Sequence, residues 1–351
     1  MTSSQWLMHC SVRLYRFLLL AYPSEFRQRY SHEMTQTFRD CCREELQSGG
    51  KNRLFQFWGL VLCDLLKSIS IEHVAKLKRL IGLQKGESLL DGLYTLSFAE
   101  LTDIGHKRKS NEDNMISVLP EDASVMSKKG ALFVVADGMG GYSRGEVASD
   151  IAVHAIRDAY YQDTNEDTLS ALQDAVKHAN LLIYRENESQ LQVKGELTNG
   201  GMGTTCVAVV LKGDRVYIAN AGDSLAYLVR DEEVKQLAES HCWVDEQVRK
   251  GIMTEQEALT HHGRNVIYRS LGELADVEVY LASYPIQQGD TLVLCTDGLH
   301  ELVSENEIRA TVERYEPEES ARRLIERANA NGGPDNITAV VVHVARERIA
   351  A

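Results

Sequence analysis

The stretch Leu132-Phe133-Val134-Val135-Ala136-Asp137-Gly138-Met139-Gly140-Gly141 decides how the chain folds. Five apolar residues in succession predict a strand buried on both faces, and a carboxylate follows directly. An ionised Asp at the tip of a buried strand is costly unless positive charge compensates it. Gly138 then lets a backbone carbonyl approach whatever that carboxylate holds. Hard divalent cations accept both kinds of oxygen, so a metal site is expected at this strand end.

The same device recurs along the chain. Leu292-Val293-Leu294-Cys295-Thr296-Asp297-Gly298 is a second apolar strand ending in Asp-Gly. Val216-Tyr217-Ile218-Ala219-Asn220-Ala221-Gly222-Asp223-Ser224 is a third strand running into an Asp. Asp335-Asn336 stands just before the apolar run 337–342, and Asn111-Glu112-Asp113-Asn114 precedes Met115-Ile116-Ser117-Val118. One Asp-Gly is a favoured turn pair and nothing more. Five acidic positions at strand ends are different: gathered at one edge of a sheet they repel one another unless cations offset the charge.

At 351 residues the chain is long for a single core and predicts two units. Its 44% hydrophobic and 25% charged residues describe a soluble globular protein, not a disordered one. The net charge of -13 is uneven: residues 1–90 carry 13 Lys/Arg against 8 Asp/Glu, the remainder 25 against 43. The acidic remainder argues against a nucleic-acid substrate and suits cation binding. The basic front suits an acidic partner or an anionic membrane surface, or is a solvated helix face. Seven Cys, odd in number, without Cys-x-x-Cys and set in apolar runs, predict reduced thiols and a cytoplasmic protein. The apolar run 17–21 is far too short to span a membrane and lacks a cleavage signature, so neither a transmembrane segment nor a signal peptide is expected.

Taken in order, the chain opens with helical periodicity over 7–21, halted by Pro23, then over 26–41, 54–69 and 74–81. These predict a small all-α bundle over 1–85, an accessory or regulatory domain without a catalytic constellation. Residues 86–95 are expected to be linker, and 96–347 a second domain of α+β class. There, helices are expected at about 145–159, 169–183, 305–314 and 317–330, the last with Pro at its first position. Strands with short turns between 204 and 237 favour antiparallel pairing.

The order and spacing of the acidic motifs resemble those of the bacterial PPM-type (type 2C) metal-dependent Ser/Thr protein phosphatases, over about residues 96–345. The matching pieces are Thr102-Asp103-Ile104-Gly105-His106-Lys107-Arg108-Lys109-Ser110-Asn111-Glu112-Asp113, Ala136-Asp137-Gly138-Met139-Gly140-Gly141, Gly203-Thr204-Thr205, Asn220-Ala221-Gly222-Asp223-Ser224, Cys295-Thr296-Asp297-Gly298-Leu299 and Gly333-Pro334-Asp335-Asn336-Ile337-Thr338. Within 14–40, the stretch Leu20-Ala21-Tyr22-Pro23-Ser24-Glu25-Phe26-Arg27-Gln28-Arg29-Tyr30 is loosely similar to the helical prefix of some bacterial permeases, which implies docking or regulation rather than an activity.

The phosphatase resemblance implies an α-β-β-α sandwich: two antiparallel sheets packed together, helices outside, a metal cluster at one edge. It implies that Asp137 bridges two Mn²⁺ or Mg²⁺ ions and that Asp297 and Asp335 complete the first ion's shell. The carbonyl of Gly138 would face the second ion, with Glu112 and Asp113 holding its waters. Asp223 with Asp297 would form a third site, and Arg108 would grip the substrate phosphate. The implied reaction is direct hydrolysis of phosphoserine and phosphothreonine in phosphoproteins, opposite a Ser/Thr kinase, with the helical bundle docking a partner or self-associating. The physics agrees, because cations must reverse the sign of an acidic site before a phosphate dianion can enter it, and a guanidinium matches phosphate oxygens two at a time.

Three departures accompany the match. Met139 stands where many animal relatives carry His and cannot donate a proton, which makes His106 a candidate acid. The segment 237–265 resembles a mobile flap beside the metals, with Ser240 in place of the usual Asp and Gly263 in place of Pro. His241, Cys242, His261 and His262 fit no common zinc spacing. Readings from other classes fare worse: Ser143 breaks the dinucleotide-loop pattern, no segment has EF-hand spacing, and a catalytically weak phosphoprotein-binding scaffold sits poorly with acidic residues at every principal ligand position.

Overall fold

The structure, a computed structural model, describes residues 83–90, 94–140, 144–194, 201–264 and 266–346, with isolated positions between 11 and 61 before them. The chain divides into two units, Met1–Gly82 and Leu83–Ala351. In the first unit the described positions are helical, with a 3-10 turn at Leu19–Ala21. Tyr15 stacks on Phe38 with ring centroids 4.0 Å apart, Trp58 meets Phe38 edge-on, and Trp58 Nε1 donates to Ser11 Oγ. The helices expected over 7–81 otherwise lie outside the described residues.

The second unit begins with β1 (Leu83–Leu90), β2 (Tyr94–Asp103), β3 (Asn114–Val118), α1 (Ala123–Lys129), β4 (Ala131–Ala136) and β5 (Gly138–Met139). Two long helices follow, α2 (Arg144–Gln162) and α3 (Thr168–Lys194). Then come β6 (Gly203–Thr204), β7 (Cys206–Lys212), β8 (Arg215–Ala221), β9 (Leu225–Arg230) and β10 (Glu233–Gln236). Helices α4 (Trp243–Arg249) and α5 (Glu255–Thr260) precede β11 (Tyr280–Pro285) and β12 (Thr291–Cys295). The chain closes with α6 (Asp297–His300), α7 (Glu305–Val312), α8 (Pro317–Ala330) and β13 (Ile337–Arg346).

Two antiparallel sheets result, ordered β1-β2-β13-β12-β9-β10 and β11-β8-β7-β4-β3. Strand β4 is buried at every position, as its apolar run predicts. Phe133 and Val135 enter the core between the sheets, whereas Leu132, Val134 and Ala136 face the core beneath α2 and α3. Phe133 meets Phe98 of the opposite sheet edge-on at 5.6 Å. The inter-sheet core continues under α7 and α8 through Ile308, Leu324 and Ile325. This is the expected four-layer α-β-β-α arrangement.

Two local expectations need correction. Within the expected linker, 86–90 and 94–95 are strand: β1 pairs along its whole length with β2, from Leu83↔Leu101 to Leu90↔Tyr94. Lys85, Gly86 and Glu87 hide that strand from a composition reading; its partner strand supplies the pairing. The helix expected to fade near 183 continues to Lys194. Asp297-Gly298, in isolation a favoured turn pair, opens the short helix α6. Gly298 is required there, since a Cβ would fall 2.0 Å from the Asn336 carbonyl oxygen.

Register sets the site. Asp103 pairs with Ile337, Cys295 with Ala339 and Leu225, Asn114 with Ala136, and Cys206 with Ala221. The strand ends that carry the acidic motifs therefore all lie at one edge of the sandwich.

Candidate metal centre

Asp137 caps β4, and its backbone is clamped before its side chain enters the argument. Its N–H donates to Thr205 Oγ1 (2.9 Å), while its carbonyl accepts from Thr205 N (2.9 Å) and Thr204 Oγ1 (2.8 Å). The Gly203-Thr204-Thr205 motif thus fixes where the carboxylate begins. Gly138 N–H donates to the Glu112 carbonyl at 3.1 Å, and that same oxygen accepts from Ser149 Oγ on α2 at 2.6 Å. A Cβ on Gly138 would lie 2.2 Å from the Gly145 carbonyl oxygen, so only glycine permits α2 to pack this closely.

Asn336 organises the opposite wall. Its Oδ1 accepts from Glu112 N at 2.8 Å, and its Nδ2 donates to the carbonyls of Ile104 and Ser110, both at 3.0 Å. The loop that carries Arg108, Glu112 and Asp113 is thereby tied to the start of β13. Arg108 Nη2 donates to Asp335 Oδ2 at 2.6 Å, and its guanidinium also feels Asp137 and Glu112. The Arg108 side chain stays 49% exposed, open to an incoming anion.

Electrostatics shows how closely the acids gather. Burial, then Asp113, Asp297, Asp223 and Asp335 in turn, push the Asp137 carboxyl well above the usual carboxylate range. Burial lifts Asp113 to about 7, against the pull of hydroxyls from Thr338 and Thr296. Burial and the neighbouring Asp297 lift Asp223 to about 8. Glu112 is raised by burial, with Arg108 opposing. Asp297 is raised by burial too, with His300 pulling the other way. All eight sequence-derived site residues belong to this one edge.

Among the described residues, three buried carboxylate oxygens have no hydrogen-bond partner: Asp113 Oδ1, Asp223 Oδ1 and Asp297 Oδ1. An unpaired buried anionic oxygen costs free energy unless something positive meets it. An all-oxygen donor set of this kind fits hard divalent cations such as Mn²⁺ or Mg²⁺. Among the described residues no three His, Cys, Asp or Glu side chains already stand closed as a metal cage. The fit therefore rests on the orphaned oxygens and the donor chemistry.

Several contributors escape a motif reading. Thr296 and Thr338 both donate to Asp113 Oδ2. His300 lies one helical turn after Asp297, beside its carboxylate, and contacts the Asp223 carbonyl at 2.9 Å. The i, i+3 spacing in α6 is the signal that could have found it, had Asp297-Gly298 been recognised as a helix start. His106 is exposed, and its backbone N–H donates to Gly333.

The flap segment holds α4 and α5 with a small core of its own, Cys242, Val244 and Ala258. It is anchored by Gly222 N–H donating to His241 Nδ1 (3.0 Å) and by Trp243 N–H donating to Val266 (2.7 Å). Ser240 donates to Asp245, so a carboxylate still stands near the position where relatives carry Asp. A cavity of ≈ 630 Å³ opens between flap and body, lined by Asp223, Asp245, Arg264 and Glu301 among others. The His241, Cys242, His261, His262 set does not close on a metal: Cys242 Sγ faces the Arg264 carbonyl, while the His261 ring packs on Trp243 and His262.

Comparison with known proteins follows the same lines. The profile of the family described as protein phosphatase 2C matches residues 117–336. The chain is 37% identical over 248 residues to a serine/threonine phosphatase, stp, of Listeria innocua, covering 69% of this chain and 93% of that one. The crystal structure of the Mycobacterium tuberculosis serine/threonine phosphatase PstP/Ppp superposes with a TM-score of 0.62 at 36% identity, over 72% of this chain and 100% of that one. The catalytic domain of PstP in complex with two manganese ions matches at 35% identity and TM-score 0.61, over 72% and 99% of the two chains.

Proposed function

The chain belongs to the protein phosphatase 2C family, and on that premise we propose that its acidic edge is a di-metal centre that hydrolyses phosphoserine and phosphothreonine in proteins. The observation that carries this reading is the set of three partnerless carboxylate oxygens, on Asp113, Asp223 and Asp297, gathered around Asp137.

Asp137, Asp297, Asp335 and the Gly138 carbonyl would hold two Mn²⁺ or Mg²⁺ ions, with Glu112 and Asp113 orienting water and Asp223 available to a third. When bound, such ions would neutralise the acidic edge and lower the pKa of a coordinated water. Arg108 binds the phosphate oxygens and, through Asp335, is held facing the site. Met139 contributes no proton. No covalent nucleophile is called for: burial pushes the Cys206 thiol up to about 12 and Cys242 up to about 11, so neither forms a thiolate at neutral pH.

The test is phosphate release from phosphoserine and phosphothreonine peptides by the full chain with Mn²⁺. Arg108→Ala is expected to lower kcat/KM about a hundredfold, the usual loss when one charge-stabilising donor is removed. Undiminished hydrolysis after exhaustive chelation, or wild-type kcat/KM in the Arg108 variant, rules the reading out.

The finer assignments are a cytoplasmic setting, a Ser/Thr kinase as counterpart in signalling, and residues 1–82 as a docking or self-association module. The basic balance of the front segment and its apolar periodicity support the last of these. Comparing the full chain with one beginning at Leu83 is expected to change the oligomeric state measured by light scattering (mass divided by chain mass) or the turnover. Identical values for both remove the docking role.

A further inference from the structure

Asp113 sits in a ring of hydrogen bonds whose direction can be deduced atom by atom. Its backbone N–H donates to Asn111 Oδ1 at 3.2 Å. A backbone N–H can only donate, so this contact fixes the orientation of the Asn111 amide. Asn111 Nδ2 then donates to Thr102 Oγ1 at 2.8 Å. The hydroxyls of Thr102 and Thr338 lie 2.8 Å apart, and Thr338 Oγ1 donates to Asp113 Oδ2 at 2.6 Å. A hydroxyl owns a single hydrogen. Thr338 commits its hydrogen to Asp113 and must therefore accept from Thr102, which in turn accepts from Asn111. The ring closes with one polarity: Asn111 to Thr102 to Thr338 to Asp113 and back to Asn111. Thr296 reinforces it, donating to the same Asp113 oxygen at 2.9 Å while accepting from Thr338 N at 3.1 Å.

We propose that this ring positions Asp113 for the metal centre, committing Oδ2 to two hydroxyl donors so that Oδ1 is left turned toward the divalent ions and their water. The proposal rests on the metal-centre reading above and adds Thr102, Thr296, Thr338 and Asn111 to it as positioning residues.

Three observations separate this role from an ordinary buried polar cluster. The two carboxylate oxygens of Asp113 are used asymmetrically: Oδ2 takes both threonine hydroxyls, whereas Oδ1 is buried without a partner. Solvent is kept from the Asp113 end of the ring, where Thr296 and Thr338 are fully buried and Asp113 is 7% exposed, while Thr102 and Asn111 are half-buried. The members also come from separate elements: Thr102 from β2, Thr338 from β13, Thr296 from the end of β12, and Asn111 with Asp113 from the loop entering β3. The first three elements belong to one sheet and β3 to the other. The ring therefore converts the packing of the two sheets into the orientation of one carboxylate. Hydrogen bonds in a closed network reinforce one another, and loss of a partner that orients a metal ligand typically costs 10- to 100-fold in affinity.

Shape and hydrogen bonding can be separated at Thr338. Valine keeps the branched shape but loses the hydroxyl, whereas serine keeps the hydroxyl and loses a methyl. With the full-length chain stripped of metal, Mn²⁺ binding read by calorimetry and by the Mn²⁺ electron paramagnetic resonance signal is expected to weaken 10- to 100-fold in Thr338→Val. Thr338→Ser is expected to bind within about twofold of wild type, as a replacement that keeps the donor to Asp113. Thr102→Val removes the donor that feeds Thr338 and the acceptor of Asn111 Nδ2 but leaves both hydroxyls on Asp113 Oδ2, so a smaller loss in the same direction is expected. It also carries the test alone if circular dichroism shows Thr338→Val unfolded. Wild-type Mn²⁺ affinity in both valine variants, or equal weakening by valine and serine at position 338, overturns the ring. Failure of the wild-type chain to take up Mn²⁺ is a different result; it overturns the metal-centre reading and the ring with it.

Discussion

Asp137→Asn is expected to abolish turnover, lowering the rate on phosphopeptides by at least about 10³-fold, while making the metal-free protein more stable. The two effects have opposite signs because one carboxylate serves two balances. Asp113, Asp223, Asp297 and Asp335 all raise the cost of ionising Asp137, and like charges in a poorly solvated edge repel with little screening. Asparagine keeps the size and the backbone clamp on Thr204 and Thr205 but removes a group that must either ionise against its neighbours or take up a proton on folding. In chelator, the variant should therefore melt above wild type. In millimolar Mn²⁺ the order should reverse, because a ligand that binds only the folded state stabilises it in proportion to its saturation, and the variant would have lost a carboxylate proposed to hold the ions. Melting curves with and without Mn²⁺ read the crossover. A variant that melts below wild type in chelator, with an ordinary rate in Mn²⁺, would show Asp137 to be a structural acid.

The positions that make up this cluster were legible in the sequence because each is a local signal. An apolar run followed directly by Asp-Gly needs no knowledge of the rest of the fold, and β4 with Asp137 is its clearest instance. Convergence of five such signals then follows from antiparallel register. What holds the acids was not legible, because it is non-local. Thr102 and Thr338 meet across 236 positions of chain, and a lone Thr in a strand carries no mark of its partner. Strand β1 was hidden for a related reason. Its pairing with β2 comes from the neighbour's unfilled edge, not from its own polar residues. His300 was missed because Asp-Gly reads as a turn, whereas the close approach of the Asn336 carbonyl to Gly298 lets a helix start there.

Glu100 shares a strand face with Leu96 and Phe98, so alternation turns this acid into the core between the sheets, where it governs a pH effect distinct from the metal centre. It lies on β2 at 2% exposure, and Ser117 of the opposite sheet donates to its carboxylate. Burial raises its pKa from 4.5 to about 7, with the Ser117 hydrogen bond opposing. A carboxyl whose pKa is higher folded than unfolded favours the fold when protonated, so its contribution is full below about 4.5. That contribution falls as pH rises and is gone above about 7, once the folded-state group ionises as well. The span corresponds to about 3 kcal/mol. Glu100→Gln, which cannot ionise, is therefore expected to match wild type in denaturant unfolding near pH 4.5 and to exceed its stability by up to about 3 kcal/mol at pH 8. Working in chelator throughout and taking the difference between the two proteins cancels the titration of the acidic edge, which both share. A difference that stays constant from pH 4.5 to 8 would mean that Glu100 ionises alike in the folded and unfolded chains. Its link to Ser117 would then act only as a neutral hydrogen bond joining the two sheets.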